Sequence, residues 1–186
     1  MYRNSIILIL LLLLPAISIH GADTKQERNF IVEGNKLYSQ KRYAEAETMY
    51  KKALTVSPTS EVARFNLASA LIRQSGSADP NSGNTPLSDA ISLLTELEKT
   101  AQMAAIVEKA AYDLGNISFN AQQYQQAIEH YKNALRKNPD NDKARENLRL
   151  AQKKLEEQQQ NQDKQNQDKK DKQDQQDQQN KEQQQQ

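Results

Sequence analysis

The sequence predicts an all-α protein. About three helix-turn-helix units stack into a solenoid, a C-terminal helix caps the stack, and a disordered tail follows. Three observations lead to this. Gly34, Tyr43, Ala46, Tyr50, Ala53, Leu54 and Pro58 recur at one offset of 81, as Gly115, Tyr124, Ala127, Tyr131, Ala134, Leu135 and Pro139. Between Glu27 and Leu155 the apolar residues fall at helical rather than alternating spacing. The composition also favours helix: Ala, Gln, Lys, Glu and Leu are abundant, while 186 residues include only five Gly and five Pro.

The length allows one ordinary domain, or one small domain with appendages. Without Cys there is no disulfide scaffold, thiolate metal site, Cys nucleophile or lipobox-type lipid anchor. Two His leave almost no room for a multi-His metal site. The net charge is +1, and the Lys and Arg residues are interspersed with acids, so nothing points to nucleic acid.

Residues 1–22 read as a signal peptide. Arg3 supplies a positive start, Ile6–Leu14 is an unbroken apolar run, and small residues follow Pro15. The apolar stretch to Ile19 is 14 residues long, short of the roughly 20 that a spanning helix needs. Cleavage fits after Ser18 or near Ala22. Left uncleaved, the same segment anchors the protein to the membrane. Both routes export the rest of the chain, and a periplasmic location is expected. No later segment is apolar enough to span a bilayer.

The first unit covers 27–60. Glu27–Gln40 carries Phe30, Ile31, Gly34, Leu37 and Tyr38 at helical spacing. Lys41-Arg42 breaks the pattern. Tyr43–Ser57 then carries Ala46, Met49, Tyr50, Ala53 and Leu54, and Pro58 ends the helix. The second unit covers 61–104. Its Leu87, Ala90 and Leu94 stand 44 after Tyr43, Ala46 and Tyr50, which a 34-residue period explains if ten residues are inserted within 75–86. That stretch is rich in turn formers. The third unit covers 108–141. A partial fourth supplies the capping helix, 142–158, with Pro139-Asp140-Asn141-Asp142 as N-cap chemistry.

Small residues have a packing role in this scheme. Gly34, Ala68 and Gly115 sit where one helix of a pair crosses the other, with Ala46, Ala90 and Ala127 opposite them. Bulk at either place would push the helices beyond the usual separation of about 8–10 Å. The middle unit departs from the pattern, with Ala68 for Gly, Leu97 for the later Ala and no closing Pro. Its second helix is therefore expected to be less regular and its exit turn less sharp. From Gln158 to Gln186 no residue is apolar, so 159–186 reads as a disordered Gln/Asp/Lys-rich spacer with nothing to bury, into which the preceding helix can continue some way and fray, because Gln and Lys tolerate a helix.

No constellation carries chemistry. His130 is expected at the solvated surface. Asn116-Ile117-Ser118 matches a glycosylation triplet but lies inside a predicted helix. There is no phosphate loop, paired catalytic carboxylate or Ser-His arrangement, so the chain reads as a non-enzyme with no cofactor, no metal and no small-molecule substrate.

The places kept by the first and third units resemble the tetratricopeptide repeat: the small residue, Tyr, Ala, Tyr, Ala-Leu and Pro. The likeness covers Glu27 to about Leu155. None of the units has Trp at the fourth place, where Phe30, Arg64 and Ala111 stand. The resemblance implies a curved stack whose first helices line a concave face for a protein or peptide partner. The implied lining is Arg28, Ile31, Asn35 and Tyr38; then Val62, Phe65, Ser69, Ile72 and Arg73; then Lys109, Tyr112, Asn116, Phe119 and Asn120. Phe65, Tyr112 and Phe119 are the expected anchors. One subfamily clamps C-terminal carboxylates with Lys, Asn, Asn, Lys and Arg. Asn35, Asn66 and Lys109 match it, but Ile31 and Asp113 replace two of its cations.

The signal, the Glu27–Tyr38 opening, the repeats and the tail together are similar to the BatC family, exported repeat proteins of the Bacteroides aerotolerance operon. That likeness implies an envelope protein beside membrane-bound von Willebrand A-domain proteins. The expected function is thus an exported scaffold binding a protein partner. The alternative is a self-assembling structural envelope protein whose repeat edges or Gln-rich tail drive oligomerisation.

Overall fold

The computed structural model describes residues 20–76 and 85–183. They form seven helices: α1 (His20–Ser39), α2 (Tyr43–Val56), α3 (Glu61–Ser75), α4 (Pro86–Thr100), α5 (Ala104–Asn120), α6 (Tyr124–Lys137) and α7 (Asp142–Gln183). Nearly all of the expected signal segment lies outside the described residues, as does most of the expected insertion. Each helix packs on the next, and α1, α3, α5 and α7 touch in series, so the first helices of successive units form one layer.

The period of 81 reappears as three-dimensional detail. Gly34 faces Tyr50 so closely that a Cβ there would lie 2.5 Å from the ring, and Gly115 meets Tyr131 in the same way. Both rings are fully buried. In the middle unit Leu94 replaces Tyr and Ala68 fits opposite it; both are buried. This is why one crossing tolerates a methyl group and the other two do not.

The turns inside the first and third units share a mechanism. Lys41 and Gln122 adopt left-handed backbone at φ 62° and 60°. The Arg42 N–H then donates to the Leu37 carbonyl at 3.0 Å, and the Gln123 N–H to the Ser118 carbonyl at 2.9 Å. These are Schellman closures, which satisfy carbonyls that a helix end would otherwise orphan. Edge-on ring pairs brace both turns, Tyr38–Tyr43 at 5.2 Å and Phe119–Tyr124 at 5.4 Å between centroids.

Helix starts follow local chemistry. Ser60 Oγ accepts from the Ala63 N–H at 3.2 Å, and Asn141 Oδ1 from the Ala144 N–H at 2.9 Å. Thr85 and Pro86 open α4, with Thr85 Oγ1 accepting from the Ser88 N–H. Arg64 and Arg145 each reach back to the carbonyl of the preceding Pro, Pro58 or Pro139.

Two expectations need correction. The second helix of the middle unit is regular from Pro86 to Thr100. Its exit is held without Pro, because the Glu61 carboxylate accepts from the N–H groups of Gln102 and Met103 at 2.6 and 3.0 Å. The last helix, α7, runs on from the expected capping segment to Gln183. From Asp142 onward there is no Gly or Pro to stop it, and Gln, Lys and Glu are good helix formers.

Candidate binding groove

The layer of first helices holds two neighbouring cavities. One, of about 250 Å³, lies between α1, α3 and α5 and is lined by Tyr38, Ser69, Ile72, Arg73, Asp113, Asn116, Ile117 and Asn120. The other, of about 340 Å³, lies toward α7 and is lined by Asn116, Phe119, Asn120, Tyr131, Asn147 and Leu150. Asn116 and Asn120 belong to both. A larger cavity of about 490 Å³ sits at the α1–α2 turn. It lies off the concave layer, and its Arg42 guanidinium is already paired with Glu45 through two nitrogens.

Two amides of the first-helix layer, Asn35 and Asn116, have matching sets of structural partners. Asn35 Oδ1 accepts from the Tyr50 hydroxyl at 2.8 Å and from Asn66 Nδ2 at 3.0 Å. Eighty-one positions on, Asn116 Oδ1 accepts from Tyr131 at 2.9 Å and from Asn147 Nδ2 at 3.0 Å. Each trio ties both helices of a unit to the first helix of the next. Burial pushes the Tyr50 and Tyr131 hydroxyls up to about 12, so both remain proton donors. The Asn35 and Asn116 carbonyl oxygens are therefore occupied, and their NH2 groups are what they can offer a partner.

The charged side chains differ in how well they are satisfied. Arg73 Nε donates to the Tyr38 hydroxyl at 3.2 Å. Lys109 Nζ lies 5.9 Å from the centre of the Phe65 ring, within cation–π range. Asp113, half-buried between them, makes no hydrogen bond or ion pair with any described residue. Burial raises its carboxyl to about 6, helped by Glu108, while Arg73 and Lys109 pull it down.

The first cavity brings together Tyr38, Ser69, Ile72, Arg73, Asn116 and Asn120 from the expected lining, and the second adds Phe119. Arg28, Ile31, Asn35, Val62, Phe65, Lys109 and Tyr112 line neither. Tyr112 and Phe119 are half-buried against the α6–α7 cluster, and the Tyr112 hydroxyl accepts weakly from Asn147 at 3.4 Å. Their rings are thus partly structural. Asp113, Ile117, Asn147, Leu150 and the Tyr131 ring line the cavities without belonging to the expected lining. A signal existed for the first two: Asn116 and Ile117 stand three and four residues after Asp113, and Asn120 three after Ile117, on one helix face. Leu150, 43% exposed, closes the second cavity from α7.

His130 is a correction. It is not free at the surface: its Nδ1 lies 3.1 Å from Glu98, which also accepts from Asn133 Nδ2 at 2.7 Å. Burial pulls the Glu98 carboxyl upward, but the bonds from His130 and Asn133 outweigh it and hold the group below the usual carboxylate range. This clasp joins α4 to α6. At the corresponding place one unit earlier stand Leu54 and Leu93, both packed on the apolar core. Among the described residues no His, Asp and Glu cluster has the makings of a metal site.

The tetratricopeptide-repeat family matches residues 108–141 and, in a second variant of the same repeat, residues 34–60. The chain carries tetratricopeptide repeats. Both matches fall on the units that keep the Gly–Tyr crossing. No curated protein matches the sequence. Among solved structures, the repeats are similar to the first tetratricopeptide domain of Spaghetti (RPAP3) bound to the HSP90 peptide SRMEEVD. Identity is 25%, the match covers 70% of this chain and 94% of that one, and the TM-score is 0.56. They are also similar to the Sgt2 tetratricopeptide domain from Aspergillus fumigatus, at 22% identity, 70% and 80% coverage and a TM-score of 0.58. The first such domain of human RPAP3 is similar at 24% identity, 71% and 94% coverage and a TM-score of 0.58. These last two establish the fold alone.

Proposed function

We propose that this protein is an exported, non-enzymatic scaffold that holds an extended segment of a partner protein in the groove between its first helices. The observation that carries this reading is the pair of adjoining cavities, which place rings, amides and charges along one continuous face. Such a mixture suits a peptide: aromatic and aliphatic groups supply buried area, and amides pair with its backbone. A protein of similar structure was solved holding a peptide, which supports a peptide-sized ligand here.

The fuller context is part of the proposal. The apolar N-terminal run supports export to the periplasm, with the protein either released or held at the membrane by an uncleaved segment. The likeness to the BatC family supports a role in a cell-envelope complex linked to aerotolerance or stress, with membrane-bound von Willebrand A-domain proteins as partners. No helix among the described residues is long and apolar enough to cross a membrane.

The ends of the stack argue against assembly by repeat edges. Apart from an exposed Val32, the outer face of α1 carries Lys25, Gln26, Asn29, Glu33 and Lys36, and Lys143, Glu146, Arg149 and Lys153 are exposed on α7. Solenoids closed by polar outer faces stay separate.

The test is crosslinking in the native envelope, comparing wild type with an Ile72→Ala/Leu150→Ala double variant, which alters both cavities, and whose circular dichroism is unchanged. Loss of the captured partners is expected. Equal capture by both proteins would rule out the groove. Light scattering with and without residues 158–186 checks the self-assembly alternative, and N-terminal sequencing of the mature protein locates the cleavage.

A further inference from the structure

Arg73 and Asp113 line the first cavity, Lys109 acts on Asp113 from outside it, and only the two cations are engaged. Arg73 is bound to the Tyr38 hydroxyl, and Lys109 lies over the Phe65 ring. The Asp113 carboxylate has no hydrogen bond or ion pair among the described residues. Yet no side-chain oxygen in the described residues is both sealed from solvent and unbonded. The Asp113 oxygens are therefore reachable from the cavity that they line. A half-buried carboxylate without donors has lost hydration that nothing in the chain restores. What the cavity lacks is a donor, and the strongest donor to a carboxylate is a cation.

We propose that the cavity at Asp113 is a subsite for a Lys or Arg side chain of the partner, with an apolar side chain of the same segment seated in the adjoining cavity at Phe119 and Leu150. This rests on the groove reading above and names the chemistry that the groove selects. The two cavities share Asn116 and Asn120, so the basic and apolar residues lie close together in the partner's sequence. Arg73 is exposed and anchored at the rim by Tyr38, so it can swing outward as the ligand cation enters. Glu108, the other acid that acts on Asp113, is engaged by Asn141 Nδ2.

The subsite is sensitive to pH. The charged groups acting on Asp113 are Arg73 from α3 and Glu108 and Lys109 from α5, and the carboxyl titrates at about 6. Above that pH the carboxylate meets the ligand cation. Below it the subsite is neutral and the preference for a cation fades. Asp113 stands where the carboxylate-clamping subfamily has a cation, so this groove has the opposite preference at that point.

The test is an NMR titration that follows the side-chain amides of Asn120 and Asn147. The probes are acetylated, amidated Ser/Ala peptides carrying one Leu and, two positions away, Lys, Gln or Glu. At about pH 7.5 the wild type is expected to bind the Lys peptide roughly tenfold more tightly than the Glu peptide, with the margin shrinking at about pH 5. Asp113→Asn should abolish the margin, and Asp113→Glu should keep it. A wild type that prefers Glu, or an Asp113→Asn variant that still prefers Lys, overturns the assignment. Equal binding of all three peptides, abolished by Ile72→Ala/Leu150→Ala, also overturns it but leaves the groove standing. If no peptide moves the groove amides, both fail.

Discussion

The Tyr50 hydroxyl donates to Asn35 Oδ1 at 2.8 Å, and the same bond joins Tyr131 to Asn116 at 2.9 Å. Each ring lies against a glycine of the partner helix, Gly34 or Gly115. The hydrogen bond and the missing Cβ depend on each other, because a ring held at its hydroxyl cannot retreat from a methyl group.

Gly34→Ala and Gly115→Ala are therefore expected to destabilise the protein by about 1–3 kcal/mol each, the range for overpacking a tight core. Ala68→Gly, at the middle crossing, should cost only about 0.5–1 kcal/mol through helix propensity. Urea unfolding monitored by circular dichroism would order the three. Equal losses at all three sites would contradict the packing argument.

The left-handed turns make the opposite prediction. Lys41 and Gln122 bear side chains where the backbone favours glycine. Lys41→Gly and Gln122→Gly should each stabilise the protein by about 1 kcal/mol, the strain relieved by removing Cβ from that conformation. Thermal melts that fall rather than rise would count against a strained turn.

Asp113 introduces a pH dependence of known sign. Its folded-state pKa of about 6 lies above the ordinary carboxyl value of 3.8, so the folded state binds its proton more tightly than the unfolded chain does. The associated stability is complete below about pH 4 and is lost as pH rises through 6. Asp113→Asn should thus be more stable than wild type at neutral pH, by about 1–2 kcal/mol after allowing for partial solvent screening, and should match it at about pH 3.5. Guanidinium titrations across that range read the difference directly.

The α4–α6 clasp behaves in the reverse sense. Glu98 is held below its ordinary range, so its contribution is present at neutral pH and disappears as pH falls through the folded-state value. Glu98→Gln should weaken the junction between the second and third units by about 1–3 kcal/mol at neutral pH, the cost of disturbing a largely buried hydrogen-bonded charge. Hydrogen exchange should show faster opening in α6 than in α2.

The repeat and the glycine crossings were legible because each depends on spacing along one helix or on identities one period apart, whereas the expected groove lining came only with the family resemblance. Contacts between units were not legible. Glu61 reaching Gln102, Glu98 reaching His130, and Asn147 completing the Asn116 trio all join residues that no local pattern pairs. Spacing tells which face a residue occupies, but not which neighbour that face meets. Asp113 was visible as a lost cation, yet its lack of a partner depends on where Arg73 and Lys109 point. The end of α7 was illegible for another reason. A polar segment has no apolar face to declare a helix and, here, no Gly or Pro to end one.

The most direct test of the central claim is photocrosslinking from two positions in the living envelope. A photoreactive residue replaces Asn120, in the groove, or Glu129, exposed on α6. A discrete protein captured from position 120 and absent from position 129 is the predicted result. Capture from 129 alone, or from both positions equally, would show that the partner does not lie along the first helices, and the groove would lose its function.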